Sequence, residues 1–540
     1  MPGKQGMVAT SQPLASQIGL DVLQQGGSAV DAAIAANAAL GLMEPHMCGI
    51  GGDLFAIVWD AESRQLYGLN ASGRSPRGLS YDTLSKRLQE EGCQKIPVEG
   101  MLPVSVPGAV DGWYELHRRF GSIPVPSLLA PVIACAENGF SVTPVIAAEW
   151  QQFSNKQTLA SFGDFHEVYR REGKTPAAGD QFSNPQLAQS YRIIAEEGRQ
   201  GFYQGEIAER IDKFMAEHEG YLRRDDLVSH RSEWVTPVSV NYRGYDIYEL
   251  PPNSQGLAAL QMLKLLQSRD LQSYAALSAD SIHLMVEAKK LAFEDRARFY
   301  ADPDFSPAPI EELLSDAYRD TRAALISDNA ANQVSAGDPV LRRGDTVYLT
   351  TADSSGNMVS LIQSIFHPFG ASVAIPGTGF SLQNRGMLFS MDTAHANVYA
   401  PGKRPFQTII PAFIMHEGRP WMSFGVMGGD MQQQGHVQVI SNIIDFNMEL
   451  QAAGDAPRWR HDDSTQPTDN VGDNLNDGGR LILENGFPEP LIRELRRRGH
   501  RIIFEDEGLG FGGYQAIMCD GKGGYLGASE SRKDGCVLGY

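Results

Sequence analysis

The 540-residue chain is predicted to fold as one layered body of helices and sheets. Three observations carry that prediction. Helical spacing dominates residues 13–43 and much of 107–325, strand-like alternation dominates from Val347 onward, and a small, polar stretch over 327–344 separates the two textures. Hydrophobic residues make up 42% and charged residues 21%, ordinary for a globular protein with a large core.

Leu14, Ile18, Leu20 and Leu23 recur at helical spacing, Gly26-Gly27 stop that helix, and Ser28 caps an alanine-rich second one running to Met43. Met47-Cys-Gly-Ile-Gly-Gly-Asp53 then forms a tight loop ahead of a strand over Leu54–Trp59. In the middle region Pro107-Gly108 open a helix, Val238–Glu249 alternates as one strand ending at Pro251-Pro252, and Leu284–Phe299 carries the clearest amphipathic pattern. Ser327–Gly344 reads as a flexible connector. Beyond it, Val347–Ala352 and Met358–Ile365 form a hairpin about Ser354-Ser-Gly-Asn357. Further strands are predicted over 408–415, 421–424, 515–518 and 524–528, with helices over 434–446 and 490–499.

A net charge of −19 and a pI near 5.1 argue against nucleic acid and anionic membranes as partners. Five scattered cysteines without a CxxC pair indicate neither a disulfide framework nor a zinc ribbon. No apolar run of membrane-spanning length occurs and the N-terminus lacks a signal-peptide core, so a cytoplasmic location is expected. There is no HExxH, and the 12 histidines form no recognisable ligand set, so neither metal nor cofactor is expected. The run Gly508–Gly513 resembles a GxGxxG loop but follows no clear strand-to-helix start. His46 and Cys48 invite a thiol mechanism, against which Cys48 has no evident paired base.

Gly344-Asp345-Thr346 stands where the connector meets the hairpin. If the bond before Thr346 is cut, its own α-amino group, with a reference pKa of about 8, lies beside its hydroxyl and serves as general base. A turn threonine that merely opens a strand is the plainer account of the same residues.

Several segments, in order, resemble the γ-glutamyltranspeptidase family. They are Met43–Asp53, Val106-Pro-Gly108, Tyr242–Tyr245 with Pro251–Gly256, and His283–Ala288 with Asp295-Arg296 and Asp302–Phe305. Gly344–Thr346, Lys403-Arg-Pro405, Met427–Gly429, Ala456-Pro-Arg458 and Gly527–Ser529 continue the series. The resemblance implies a four-layer αββα sandwich of the N-terminal-nucleophile (Ntn) hydrolase type, made as a proenzyme and cut between Asp345 and Thr346. A large subunit, 1–345, and a small one, 346–540, then stay associated as each other's partner. Thr346 matches the nucleophile, Ser364 stands where a second hydroxyl supports it, and Gly428 and Gly429 match the oxyanion-hole pair.

The same resemblance shows what has changed. Ser72 replaces the arginine that meets a γ-glutamyl α-carboxylate, Leu388 the acid that meets the ammonium, Phe366 an asparagine, and Gln407 and Thr408 paired serines. Arg385 and Arg74 are the candidate replacement cations, Arg385 preferred. Phe366 and Leu388 make the pocket smaller and more apolar, and the shortened segment 390–403 implies a wider opening. A small-molecule acid amide without an ammonium group is the expected substrate. Oxamate fits best, because the family's cytoplasmic hydrolase branch includes an oxamate amidohydrolase of purine breakdown. A γ-glutamyl enzyme, a glutaryl or cephalosporin-type acylase, and an uncleaved binding protein are the alternatives. A higher oligomer is compatible with all of them.

Overall fold

In the computed structural model, which describes residues 1–154, 161–335, 345–505 and 510–540 but not the side chains of Asp345 and Thr346, the first half begins with two capped helices. Gln12 caps the helix Pro13–Gln24 by accepting from Ala15 N–H at 3.0 Å. Ser28 and Asp31 start the helix Ala29–Met43 reciprocally: Ser28 Oγ accepts Asp31 N–H at 3.1 Å and Asp31 Oδ2 accepts Ser28 N–H at 2.9 Å. Asp31 also accepts from Ser122 N–H and Oγ–H and from Ile123 N–H, tying the helix to that loop. All 15 residues of the helix are buried, as its alanines allow.

Two seven-stranded antiparallel sheets face each other. One runs Pro2–Gly3, Tyr525–Ser529, Gly513–Cys519, Arg419–Met427, Ala412–His416, Tyr245–Glu249, Val238–Tyr242. The other runs Cys536–Gly539, Met7–Thr10, Asp345–Ala352, Met358–Phe366, Asp53–Asp60, Gln65–Ala71, Glu233–Val235. The period of two sorts side chains between layers. Tyr348, Ile362, Phe55 and Ile57 point between the sheets with Phe413 and Ile517. Val347, Leu349, Leu361 and Ala56 point outward to the helix Ala29–Met43 and its neighbours. Ile414, Phe424 and Val426 of the first sheet face the helices Gly256–Gln267 and Met431–Ile444. The result is helix, sheet, sheet, helix.

Three expectations differ from the structure. Val238–Glu249 is a hairpin rather than one strand, because Arg243 and Gly244 turn the chain with φ of +54° and +93°. The helix Ala279–Phe299 is not amphipathic: Glu287, Lys289, Lys290, Glu294, Asp295 and Arg296 are all buried. Their charges are met inside, Asp295 by Arg322 at 3.0 Å and Gln261 at 2.9 Å, Arg296 by Asp430 at 2.6 Å. The connector is docked over its first part, with Ala330 N–H on Arg498 O at 2.7 Å and Val334 N–H on Leu475 O at 3.1 Å. Its remainder, 336–344, lies outside the described residues.

A second buried charge group adjoins the helix Ala29–Met43. Glu44 accepts from Ser11 Oγ at 2.6 Å, while Glu149 pairs with Lys533 and, at 3.1 Å, with His46. Burial pushes the Glu44 carboxyl from 4.5 up to about 8. For Glu149 burial also pushes upward, but Lys533 and His46 outweigh it and hold the carboxyl down at about 2.

Asp31→Ala removes four acceptor contacts and is expected to destabilise the fold by about 2–4 kcal/mol, read as a lowered Tm. Glu44 has a raised folded pKa, so the stability it contributes is present below 4.5 and lost as pH rises through about 8. Glu44→Gln should therefore match the wild-type Tm near pH 4 and exceed it increasingly toward pH 9, checked by thermal melts across that range.

Candidate active site

The strand Asp345–Ala352 begins at an irregularity: Asp345 opposes Phe366 but Val347 opposes Gln363, so Thr346 faces two residues, Ser364 and Ile365. On its far edge Ser364 opposes Asp53. Thr346, Ser364 and Asp53 thus lie side by side across three strands, although the side chains of Asp345 and Thr346 fall outside the described residues. Ser364 Oγ accepts Phe366 N–H at 2.8 Å and helps hold Phe366 at φ +78°. Gly52 permits this closeness, since a Cβ there would strike the Ser364 carbonyl.

The two sheets are keyed across their interface. Thr350 Oγ1 lies 2.6 Å from Ser423 Oγ, and the Tyr348 ring fills the space beside Gly425. The strand Arg419–Met427 so aligned ends in a turn. In that turn Gly428 and Gly429 adopt φ of +120° and +57°. Their carbonyls are held: Gly428 O accepts Met431 N–H at 3.0 Å, and Gly429 O accepts Gln432 N–H at 3.2 Å and Gln255 Nε2 at 3.0 Å. Among the described residues neither glycine N–H has an acceptor.

Arg385, first residue of the 3-10 turn Arg385–Leu388, is fully buried. Its Nη1 donates to Thr408 Oγ1 at 3.1 Å, and its guanidinium lies 5.1 Å from the Phe366 ring centre. Among the described residues Nε and Nη2 are buried without a hydrogen-bond partner. These two N–H groups form one edge of the guanidinium, the fork that receives a carboxylate in two parallel bonds. Burial pulls the Arg385 pKa down to about 10, and Asp53 opposes the shift.

Asp53 is fully buried too. Its Oδ1 accepts from Gly73 N–H at 2.9 Å, Gly108 N–H at 3.2 Å and Gln383 Nε2 at 2.8 Å, and its Oδ2 from Gln407 Nε2 at 2.7 Å. Burial raises its carboxyl from 3.8 to about 6, against the pull of Arg385 and these donors. Among the described residues the side-chain carbonyls of Gln383 and Gln407 are buried without donors. Phe366 and Leu388 join the apolar cluster behind Arg385.

Arg385, Thr408, Gln407, Phe366 and Ser364 are therefore brought together, and Arg74 is not among them. Its guanidinium takes Asp302 at 3.2 Å, Asp304 at 2.7 Å, Glu233 at 3.1 Å and the Gly402 carbonyl at 3.2 Å. It borders a separate cavity of about 210 Å³ with Arg77, His230 and Arg231. The segment 390–403 is pinned by Asn397 on the Leu388 and Pro467 carbonyls and by Lys403 on the Ala396 and Val398 carbonyls.

Asp53 and Gln383 escaped the sequence reading as site residues. The available signal was an acid inside a glycine loop directly ahead of an apolar strand, a charge that has to find partners once buried. Cys48 is buried and its thiol pushed well above its ordinary range by that burial, which disfavours a thiolate. The glycine run near 508 falls partly outside the described residues. One group with metal-ligand chemistry does stand among the described residues: His283, Glu287 and His500. His283 bonds His500 at 2.8 Å and the Ser327 carbonyl at 2.7 Å, and Glu287 takes Lys290 at 2.7 Å and Ala331 N–H at 3.0 Å, so the protein itself meets these groups.

The family described as Gamma-glutamyltranspeptidase matches residues 15–540. The chain is 35% identical over 539 residues to the glutathione hydrolase-like YwrD proenzyme of Bacillus subtilis (strain 168), covering 99% of each. It is 33% identical over 545 residues to the oxamate amidohydrolase proenzyme of Klebsiella pneumoniae, covering 99% of this chain and 98% of that one. The crystal structure of cephalosporin acylase from Bacillus halodurans superposes with a TM-score of 0.91 at 42% identity, over 100% of this chain and 96% of that one. The chain belongs to the gamma-glutamyltranspeptidase family and is an amidohydrolase of that family, made as a proenzyme.

Proposed function

We propose that the chain hydrolyses a small amide bearing a carboxylate on its acyl part, through a threonyl acyl-enzyme formed at Thr346. Scission of the Asp345–Thr346 bond frees the α-amino group of Thr346. Thr346 Oγ then adds to the amide carbon while that amine takes the hydroxyl proton, and the N–H groups of Gly428 and Gly429 receive the developing oxyanion. The proton passes to the leaving nitrogen, and ammonia or an amine departs. Water, deprotonated by the same amine, cleaves the ester and restores Thr346.

The observation that carries the substrate reading is the open Nε–Nη2 edge of Arg385. A buried donor pair without acceptors is costly, and a carboxylate satisfies both at once. Leu388 puts hydrocarbon where the family resemblance places the acid that meets the ammonium, and Phe366 does so where it places an asparagine. Oxamate, with a carboxylate directly on the amide carbon and no amine, matches these features, and one relative is named for that activity. A glutaryl-type acyl group satisfies the same edge with a longer chain, and the 42% identity to a cephalosporin acylase supports it. The unpaired carbonyls of Gln383 and Gln407 favour a second reading, a γ-glutamyl donor whose ammonium they accept.

Mature wild-type protein is expected to run as two bands, roughly 38 and 21 kDa when 59.0 kDa is divided by length, and Thr346→Ala as one uncut, inactive chain. A single band from fully active protein overturns the mechanism. Arg385→Ala should raise KM for the preferred carboxylate donor by about 10- to 100-fold with a much smaller change in kcat. Turnover of oxamate, a glutaryl anilide and a γ-glutamyl anilide measured side by side separates the three donors, and activity on the last alone refutes the acid-amide reading.

A further inference from the structure

We propose that Asp53 is a positioning residue that sets acyl-donor selectivity by aiming the open edge of Arg385. This rests on the reading of Arg385 as the carboxylate ligand.

Arg385 is held at two points, its backbone and its Nη1, and Asp53 governs both. Gln383, two residues before Arg385, donates to Asp53 Oδ1 at 2.8 Å, and its Nε2 also meets the Val106 carbonyl at 2.9 Å. Gln407 donates to Asp53 Oδ2 at 2.7 Å and immediately precedes Thr408, whose hydroxyl receives Arg385 Nη1 at 3.1 Å. One carboxylate thus fixes the segment that bears the guanidinium and the segment that anchors it. The Gly73 and Gly108 N–H groups hold the carboxylate in turn, at 2.9 and 3.2 Å. Asp53 also opposes Ser364 in the strand ladder, which locks this assembly to the strand facing Thr346.

The charge arrangement gives the inference its point. Asp53 lies close enough to offset the buried positive charge of Arg385, yet no hydrogen bond joins them among the described residues. Both Asp53 oxygens are occupied by amide and peptide N–H donors, so the guanidinium gains a counter-charge while its recognition edge stays open. A direct ion pair would have closed that edge. A neutral residue at position 53 loses the counter-charge and loosens both segments together.

The test uses the processed enzyme with Asp53→Asn, Arg385→Ala and the double variant, each assayed on oxamate and on the glutaryl anilide. Asp53→Asn is expected to raise KM for the preferred donor by about 10-fold or more while kcat changes by less than about 3-fold. In the Arg385→Ala background the same substitution should add nothing, because there is no guanidinium left to aim. Asp53→Glu should recover part of the lost affinity. A raised KM in Arg385→Ala with an unchanged KM in Asp53→Asn overturns the role of Asp53 alone. Equal, additive effects of Asp53→Asn in both backgrounds also overturn it, as a general structural contribution. An unchanged KM in Arg385→Ala removes the underlying carboxylate reading. If Asp53→Asn does not mature, Gln407→Leu, which keeps the Asp53 charge but removes its Oδ2 donor and with it the tie to Thr408, carries the same comparison.

Discussion

Two opposite buried charges, Asp53 and Arg385, linked through Gln407 and Thr408 rather than by a hydrogen bond of their own among the described residues, set the constraint on which the rest of the centre depends. Each is costly to remove from water, and each is tolerated because the other lies near and neutral donors complete the shell. Asp53 draws those donors from Gly73, from Gly108 at the start of the helix Ala109–Phe120, and from Gln383 and Gln407. Four stretches of chain converge because one carboxylate has to be hydrogen-bonded on every side. The apolar cluster containing Phe366 and Leu388 then supplies the low-polarity wall against which a guanidinium edge discriminates strongly.

The register of the sheets supplies the other half. The irregularity between Asp345 and Val347 leaves Thr346 facing Ser364 and Ile365, and the paired hydroxyls of Thr350 and Ser423 align the neighbouring sheet. Gln255 links the two halves of the centre, donating to the Gly429 carbonyl at 3.0 Å and to the Thr408 carbonyl at 2.6 Å. Arg296 backs it, donating from Nη1 to Gln255 Oε1 at 2.8 Å and to Asp430 at 2.6 Å. The Gly428-Gly429 turn and the threonine that receives Arg385 Nη1 are therefore held by one amide side chain.

What was legible in the sequence was mostly local. Ser28 with Asp31 announces a helix start, and Ser354–Asn357 announces a hairpin, because both signals act over a few residues. Arg243-Gly244 is just as local, and there the strand alternation on both sides hid a two-residue turn. The charged residues of Ala279–Phe299 suggested a solvated face, because their partners, such as Asp430 and Arg322, come from elsewhere in the chain. Arg74 and Arg385 looked interchangeable for the same reason. Only the fold brings Asp302, Asp304 and Glu233 to one of them and, among the described residues, leaves the other half unpaired. Asp53 was the hardest to place, since Gln383 and Gln407 stand 330 and 354 residues away.

The strand order of the sheets has a bearing on how such a molecule is assembled. Met7–Thr10 lies between Cys536–Gly539 and Asp345–Ala352, while Asp53–Asp60 flanks Met358–Phe366 and Tyr245–Glu249 flanks Ala412–His416. Both sheets contain segments from either side of residue 345, so neither portion owns a complete hydrogen-bonded surface. Scission at that point relaxes a covalent link but frees no module. Parting the two portions would mean dismantling both ladders, and neither portion alone holds the template to rebuild them.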